Sequence, residues 1–276
     1  MQKRFLLLSF LFLCLFACKQ TEQNVMCHDP KAAFAEFGKD AEFQAMHPSP
    51  EDKSFELTGN MVRFAVAGQD SAYAYLAKSP KKTNKYILLY HEWWGLNDYI
   101  KNEADYWAKT LKVHVLAVDL YDGKLAKNAE EAGKLMGECK PERANAIIGA
   151  SAVFAGKKAD FRTMGWCFGG GWSLKAALLL KDKTKACVMY YGMPEENIDV
   201  LKTLASNVVF IHASKDRWIN DEVVQKFETN MKTAGKSLQV YRYDADHAFA
   251  NPSNPKYNEV AAKAARAVVN DYLKKY

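Results

Sequence analysis

Residues 160–180 read Asp160-Phe161-Arg162-Thr163-Met164-Gly165-Trp166-Cys167-Phe168-Gly169-Gly170-Gly171-Trp172-Ser173-Leu174-Lys175-Ala176-Ala177-Leu178-Leu179-Leu180. The first five form a strand-like run. A turn of small residues with Cys167 at its apex follows, and a strong helical pattern runs from Gly171 to Leu180. This strand–turn–helix context is the one in which a G-x-S-x-G elbow is credible, with sulfur in place of the serine oxygen. The flanking glycines have a physical reason, because side chains there would collide with the adjacent strand and helix. The helix that starts at the turn directs its N–H groups and positive dipole end at the sulfur, which favours thiolate. The plainer alternative is a glycine-rich strand-to-helix turn that carries a buried cysteine.

Outward from the elbow, strands and helices alternate. Met61 to Ala67 and Ala72 to Ala77 alternate around Gly68-Gln69-Asp70, a hairpin signal. Tyr86 to Tyr90 and Val113 to Val118 are unbroken apolar strands, as expected where both faces of a parallel sheet are covered. Helices are expected over 98–111, 126–137, 141–155, 222–234 and 257–273, and strands over 186–191, 208–213 and 238–243. The class is therefore α/β: a doubly wound, mostly parallel sheet with an antiparallel N-terminal edge hairpin and helices on both faces. There is no internal repeat and no low-complexity segment.

The length of 276 residues suits one such domain plus an N-terminal appendage. Lys3 and Arg4 precede an apolar run from Phe5 to Phe16, too short for a membrane-spanning helix, which reads as a signal peptide over 1–17. The ending Leu15-Phe16-Ala17-Cys18 resembles the lipobox of bacterial lipoproteins. That resemblance implies cleavage before Cys18, lipidation of its sulfur, and anchoring at the bacterial cell envelope, with the protein periplasmic or surface-facing. Plain secretion with Cys18 incidental is the alternative. Residues 18–54 are expected to be a tether and an extension packed on the domain surface, with Phe34, Phe37, Phe43 and Met46 hinting at a partial helix before His47-Pro48-Ser49-Pro50. The main domain is placed at 55–276.

The formal charge of +6 includes Lys3 and Arg4, and the remaining lysines are scattered among acids, so nothing asks for a nucleic-acid partner. Cys27, Cys139, Cys167 and Cys187 remain once Cys14 and Cys18 are set aside. Their spacing matches no zinc pattern, and no metal or other cofactor is expected. Cys27 and Cys139 are candidates for a disulfide that ties the extension to the body, and Cys187 reads as a buried strand residue.

In such sheets the site lies beyond the carboxyl ends of the strands, where Cys167, Asp216, His247 and Glu92 all fall. The order Cys…Asp…His, each member one strand further along, matches a nucleophile, an acid and a base. An imidazole must hold the thiolate and later protonate the leaving group, and a carboxylate must fix the imidazole's tautomer. Singly, Asp216 could be a turn former, and His247 a satisfied loop histidine, as His28, His47, His114 and His212 are read. Asp244 and Asp246 compete for the acid role.

The elbow, this order, the segment His91-Glu92-Trp93-Trp94-Gly95-Leu96-Asn97, Val118-Asp119-Leu120-Tyr121 and His247-Ala248-Phe249 together resemble the dienelactone hydrolase family of α/β-hydrolases, from about Tyr73 to the C-terminus. The resemblance implies Cys167 as nucleophile, His247 as base, Asp216 as orienting acid and Glu92 as a carboxylate that modulates the thiol proton. It also implies an oxyanion hole from the N–H groups of Trp93 and Phe168. Where dienelactone-cleaving members carry two arginines that bind substrate carboxylate, this chain has Gly123, beside Asp122 and Lys124, and Asn251. The expected substrate is a small neutral or weakly charged ester, lactone or thioester rather than dienelactone itself. Trp94, Trp218, Lys124 and Asn251 are the candidate substrate-binding residues. The competing reading from another class is a catalytically idle scaffold that binds a ligand or partner at the cell envelope. A thiol-redox role is disfavoured by the absence of C-x-x-C.

Overall fold

A computed structural model describes residues 37–276. Eight strands form one sheet: β1 (Asn60–Val66), β2 (Gln69–Ala77), β3 (Lys85–Tyr90), β4 (His114–Val118), β5 (Asp160–Trp166), β6 (Thr184–Tyr190), β7 (Asn207–Ala213) and β8 (Leu238–Tyr243). Their order is β1-β2-β4-β3-β5-β6-β7-β8. β2 runs antiparallel to both its neighbours, β1 and β4, and every later pairing is parallel. The β1–β2 hairpin closes at Gly68, whose φ of 68° suits a residue without Cβ. Exposed and buried residues alternate along β1, as an edge strand requires. Along β3 and β4 the buried runs Ile87–Tyr90 and Val115–Val118 are continuous, because helices cover both faces there. This is the expected fold class, antiparallel edge hairpin included.

The helices are α1 (Ala41–Ala45), α2 (Asp98–Leu111), α3 (Ala129–Glu138), α4 (Pro141–Ala155), α5 (Phe168–Leu180), α6 (Ile198–Lys202), α7 (Asp221–Thr233) and α8 (Glu259–Lys274). α2 packs with α8, and α4 with α5, each pair against the sheet. Asn97, Asn128, Asn220 and Asn258 cap α2, α3, α7 and α8 with their side-chain oxygens, so polar loop residues set these starts. α5 is buried from Phe168 through Leu178, as suits its apolar sequence, and it begins at Phe168 rather than Gly171. Its glycines sit within the helix because their missing side chains let backbones touch. α6 is a five-residue helix with no sequence expectation, too short to show a period.

α1 belongs to the N-terminal extension, yet it does not merely lie on the surface. Asp40 caps it, accepting from the N–H of Glu42 and Phe43, and also accepts from the indole Nε1 of Trp218 at 3.2 Å. Glu42 pairs with Arg217, Asn254 donates to the Met46 carbonyl at 3.4 Å, and Ser49 donates to the Lys127 carbonyl at 2.9 Å. Phe43 is fully buried, which contributes roughly 1.5–3 kcal/mol to holding the segment down. The expected signal peptide, Cys18 and Cys27 lie outside the described residues. Cys139 is buried with its sulfur 3.7 Å from the Leu120 carbonyl. Among the described residues no helix is long and apolar enough to cross a membrane.

Candidate active site

Backbone packing fixes the elbow. A Cβ on Gly165 would collide with the Gly169 carbonyl oxygen, and one on Gly169 would collide with the carbonyl oxygens of Tyr90 and His91. β5, α5 and the end of β3 can close to this distance only with glycine at both positions. Cys167 between them takes φ 55° and ψ −122°, a conformation strained for a side-chain-bearing residue by about 1–3 kcal/mol. Its N–H donates to the Tyr190 carbonyl at 3.0 Å, and its carbonyl accepts from Gly170 at 2.9 Å, so neighbouring elements hold the strain in place.

The loops after β7 and β8 bring Asp216 and His247 together. Asp216 Oδ2 accepts from His247 Nδ1 at 2.5 Å, while Oδ1 accepts from the N–H groups of Trp218 and Ile219, both at 2.9 Å. The competing acids are elsewhere: Asp244 pairs with Lys215 at 3.0 Å, and Asp246 faces Lys256 at 3.9 Å. His247 Nε2 is buried and faces Cys167 without a hydrogen bond of normal geometry, close enough that each group shifts the other's proton affinity.

Electrostatics of the site follow from burial against pairing. Burial disfavours the His247 cation, but Asp216 and Cys167 outweigh it and hold the imidazole well above its ordinary value. Burial would raise Asp216, yet the His247 charge and the two backbone donors keep it low. Burial pushes the Cys167 thiol up. The His247 charge and the Phe168 N–H pull the other way, and Glu92 adds to the rise. Glu92 itself is buried at the end of β3, and burial lifts its carboxyl to about 7 against the opposing pull of His247 and Asn251. Asn251 donates its side-chain amide to Glu92 Oε2. His91, next door, is locked by Nδ1 on the Glu92 carbonyl at 2.6 Å and by Nε2, which accepts from the Leu120 N–H at 3.1 Å.

The structure thus gathers Cys167, Asp216, His247 and Glu92, with Phe168 at the start of α5 and Trp93 on the loop after β3. Trp218 stands 6.2 Å from the His247 ring. Trp94 packs edge-on against Trp93 at 5.0 Å and lines a separate depression with Ser49, Asn97 and Tyr99. Lys124 is exposed and lines another depression with Asp122, Glu138 and Arg143, none of which belongs to the catalytic cluster. Among the described residues no three His, Cys, Asp or Glu side chains form a metal-binding group.

Three residues beside the cluster escape a reading of the sequence. Tyr191 takes φ 37°, is fully buried, and sets its ring 5.0 Å from that of His247 at a tilt of 56°. Burial, reinforced by Glu92 and Cys167, holds its phenol protonated. Phe43 lies 5.9 Å and His47 5.2 Å from the His247 ring. His47, read from sequence as a satisfied loop histidine, is buried to 3 % exposure with Nδ1 on the Phe43 carbonyl at 2.7 Å and no partner at Nε2 among the described residues. The Phe34-Phe37-Phe43-Met46 pattern was the one available signal for this segment.

The dienelactone hydrolase family model matches residues 72–276. The chain is 30 % identical over 232 residues to protein usf of Aquifex pyrophilus, covering 79 % of this chain and 99 % of that protein. It is 27 % identical over 134 residues to a carboxymethylenebutenolidase of Pseudomonas sp., covering 48 % of this chain and 54 % of that protein. Among solved structures, the dienelactone hydrolase of Anabaena variabilis superposes with TM-score 0.59 at 15 % identity, over 79 % of this chain and 98 % of that one. A dienelactone hydrolase-like promiscuous phosphotriesterase from metagenomic libraries gives TM-score 0.68 at 19 % identity, over 79 % and 98 %. With its elbow, its strand order and a family match over most of its length, the chain belongs to the dienelactone hydrolase family of α/β-hydrolases.

Proposed function

We propose that the protein hydrolyses small neutral carboxylic esters or lactones through a thioester on Cys167. The observation that carries this reading is the Asp216–His247 hydrogen bond aimed at a cysteine held in a strained elbow. Cys167 and His247 share one proton, and Asp216 favours its residence on the imidazole. The thiolate attacks the substrate carbonyl carbon, and the N–H groups of Trp93 and Phe168 receive the oxyanion. The tetrahedral intermediate expels the alkoxide, which takes the His247 proton. His247 then accepts a proton from water as that water attacks the thioester, releasing the acid and restoring the thiol. Glu92 as a carboxylate opposes the thiolate beside it, which holds the resting thiol protonated and less prone to oxidation until substrate enters.

A neutral substrate fits because Asn251 spends its amide on Glu92, and Gly123 and Asn251 stand where dienelactone-cleaving members carry arginines, so these positions supply no cationic fork. The N-terminal sequence adds to this reading a lipid on Cys18 and a place at the cell envelope. Turnover of p-nitrophenyl acetate and butyrate by the protein lacking residues 1–18, beside Cys167→Ala and His247→Ala, tests it: both variants lose turnover. The second reading, a catalytically idle scaffold, draws on the 1 % exposure of Cys167. A Cys167 that resists iodoacetamide below pH 8 in a protein without turnover would favour it.

A further inference from the structure

Phe43 is held like a ligand. Its ring meets Trp218 at 4.8 Å and 86°, Trp93 at 5.0 Å and 81°, and His47 face to face at 4.1 Å and 30°. Edge-to-face contacts on two sides and a stacked contact on a third form a box shaped for a six-membered aromatic ring. The box stands on the cluster itself. Trp93 belongs to the loop after β3, Trp218 follows Asp216 by two residues, and His247 forms the wall 5.9 Å away. With α1 docked, Cys167 is 1 % and His247 4 % exposed, so the cluster is closed to an ester in this conformation. The group that fills the box comes from a segment outside residues 72–276, which carry the family match. Besides the buried Phe43 ring, that segment is fastened by polar links that include Asp40 to Trp218, Glu42 to Arg217, Asn254 to Met46 and Ser49 to Lys127.

We infer that Phe43 is an intramolecular stand-in for substrate, and that the space walled by Trp93, Trp218 and His247 is the subsite for a phenyl-sized apolar group on the ester once α1, and His47 with it, swings aside. The inference rests on the proposed hydrolase reading and narrows its substrate class to esters or lactones that carry an aromatic or similarly compact ring near the carbonyl.

The test uses the full-length protein with the variants Phe43→Ala, which empties the box, and Asp40→Ala, which loosens α1 and keeps the ring. Binding of phenylacetamide and of acetamide is followed by tryptophan fluorescence, and labelling of Cys167 by N-benzyl iodoacetamide and iodoacetamide by peptide mass spectrometry. Phe43→Ala is expected to bind phenylacetamide at least tenfold more tightly than wild type, with acetamide unchanged. It is also expected to raise the benzyl-to-plain labelling ratio at least tenfold. Asp40→Ala is expected to speed both reagents alike. If Phe43→Ala gains no phenylacetamide affinity, or speeds both reagents equally, Phe43 is only a cover and the subsite is refuted. Tighter phenylacetamide binding with a Cys167 inert to both reagents would keep the subsite and sink the nucleophile reading instead.

Discussion

Asp216 divides its carboxylate between two tasks: Oδ1 closes the turn through Trp218 and Ile219, and Oδ2 holds Nδ1 of His247 at 2.5 Å. The turn-former and the orienting acid are one residue, and the turn is what aims the acid. Asp216→Asn keeps an acceptor for the turn but removes the charge and offers an N–H where an acceptor is needed. It is expected to lower kcat/KM by roughly 10²–10⁴-fold while folding survives. Asp216→Ala loses the turn as well and is expected to cost about 1–3 kcal/mol of stability in urea. Equal melting behaviour of the two variants would contradict the division.

Glu92 makes stability depend on pH with a definite sign. Its ordinary value of 4.5 rises to about 7 on folding, mainly through burial. Between these values the folded protein keeps a proton that the unfolded chain has released, so this contribution is complete below 4.5 and is lost as pH climbs through 7. Glu92→Gln removes the titration. Relative to wild type it is expected to gain up to roughly 3 kcal/mol between pH 4.5 and pH 8, read from urea midpoints at the two ends. A constant difference across that range would contradict burial as the cause.

The elbow glycines separate space from flexibility. Gly169→Ala forces a methyl group onto the carbonyl oxygens of Tyr90 and His91 and is expected to destabilise by on the order of 3 kcal/mol. Gly149→Ala, on the exposed face of α4 with no described atom within 4 Å, is expected to stabilise by about 0.5–1 kcal/mol. Thermal unfolding of both variants checks the pair.

Much of the sheet was legible because its signals are local. β3 and β4 announce themselves as unbroken apolar runs, and the hairpin as alternation around Gly68. The elbow was legible because close backbone packing leaves glycines in the sequence, and Asp216 because chain order ranks it above Asp244 and Asp246. Asp122 and Gly123 turn the chain with φ 52° and 87°, and Lys124 after them lines a depression with Glu138 and Arg143. Phe43 and His47 were illegible for a physical reason. Their partners Trp93, Trp218 and His247 are distant in sequence, with Asp40 and Trp218 separated by 178 residues, so no window of sequence contains the contact.

The proposed lipid anchor has its own check. Cells that express the protein are expected to incorporate labelled palmitate into it and to retain it in the membrane fraction. Cys18→Ser is expected to abolish both. Undiminished labelling of that variant would refute lipidation at Cys18.

In the proposed reaction Cys167 carries the acyl group. Rapid acid quench of the protein with p-nitrophenyl acetate, followed by peptide mass spectrometry, tests it directly. A transient acetyl group is expected on the peptide that contains Cys167, and none on the same peptide of Cys167→Ala. Steady ester turnover that persists in Cys167→Ala, with no acyl group on Cys167 in the wild type, would contradict it.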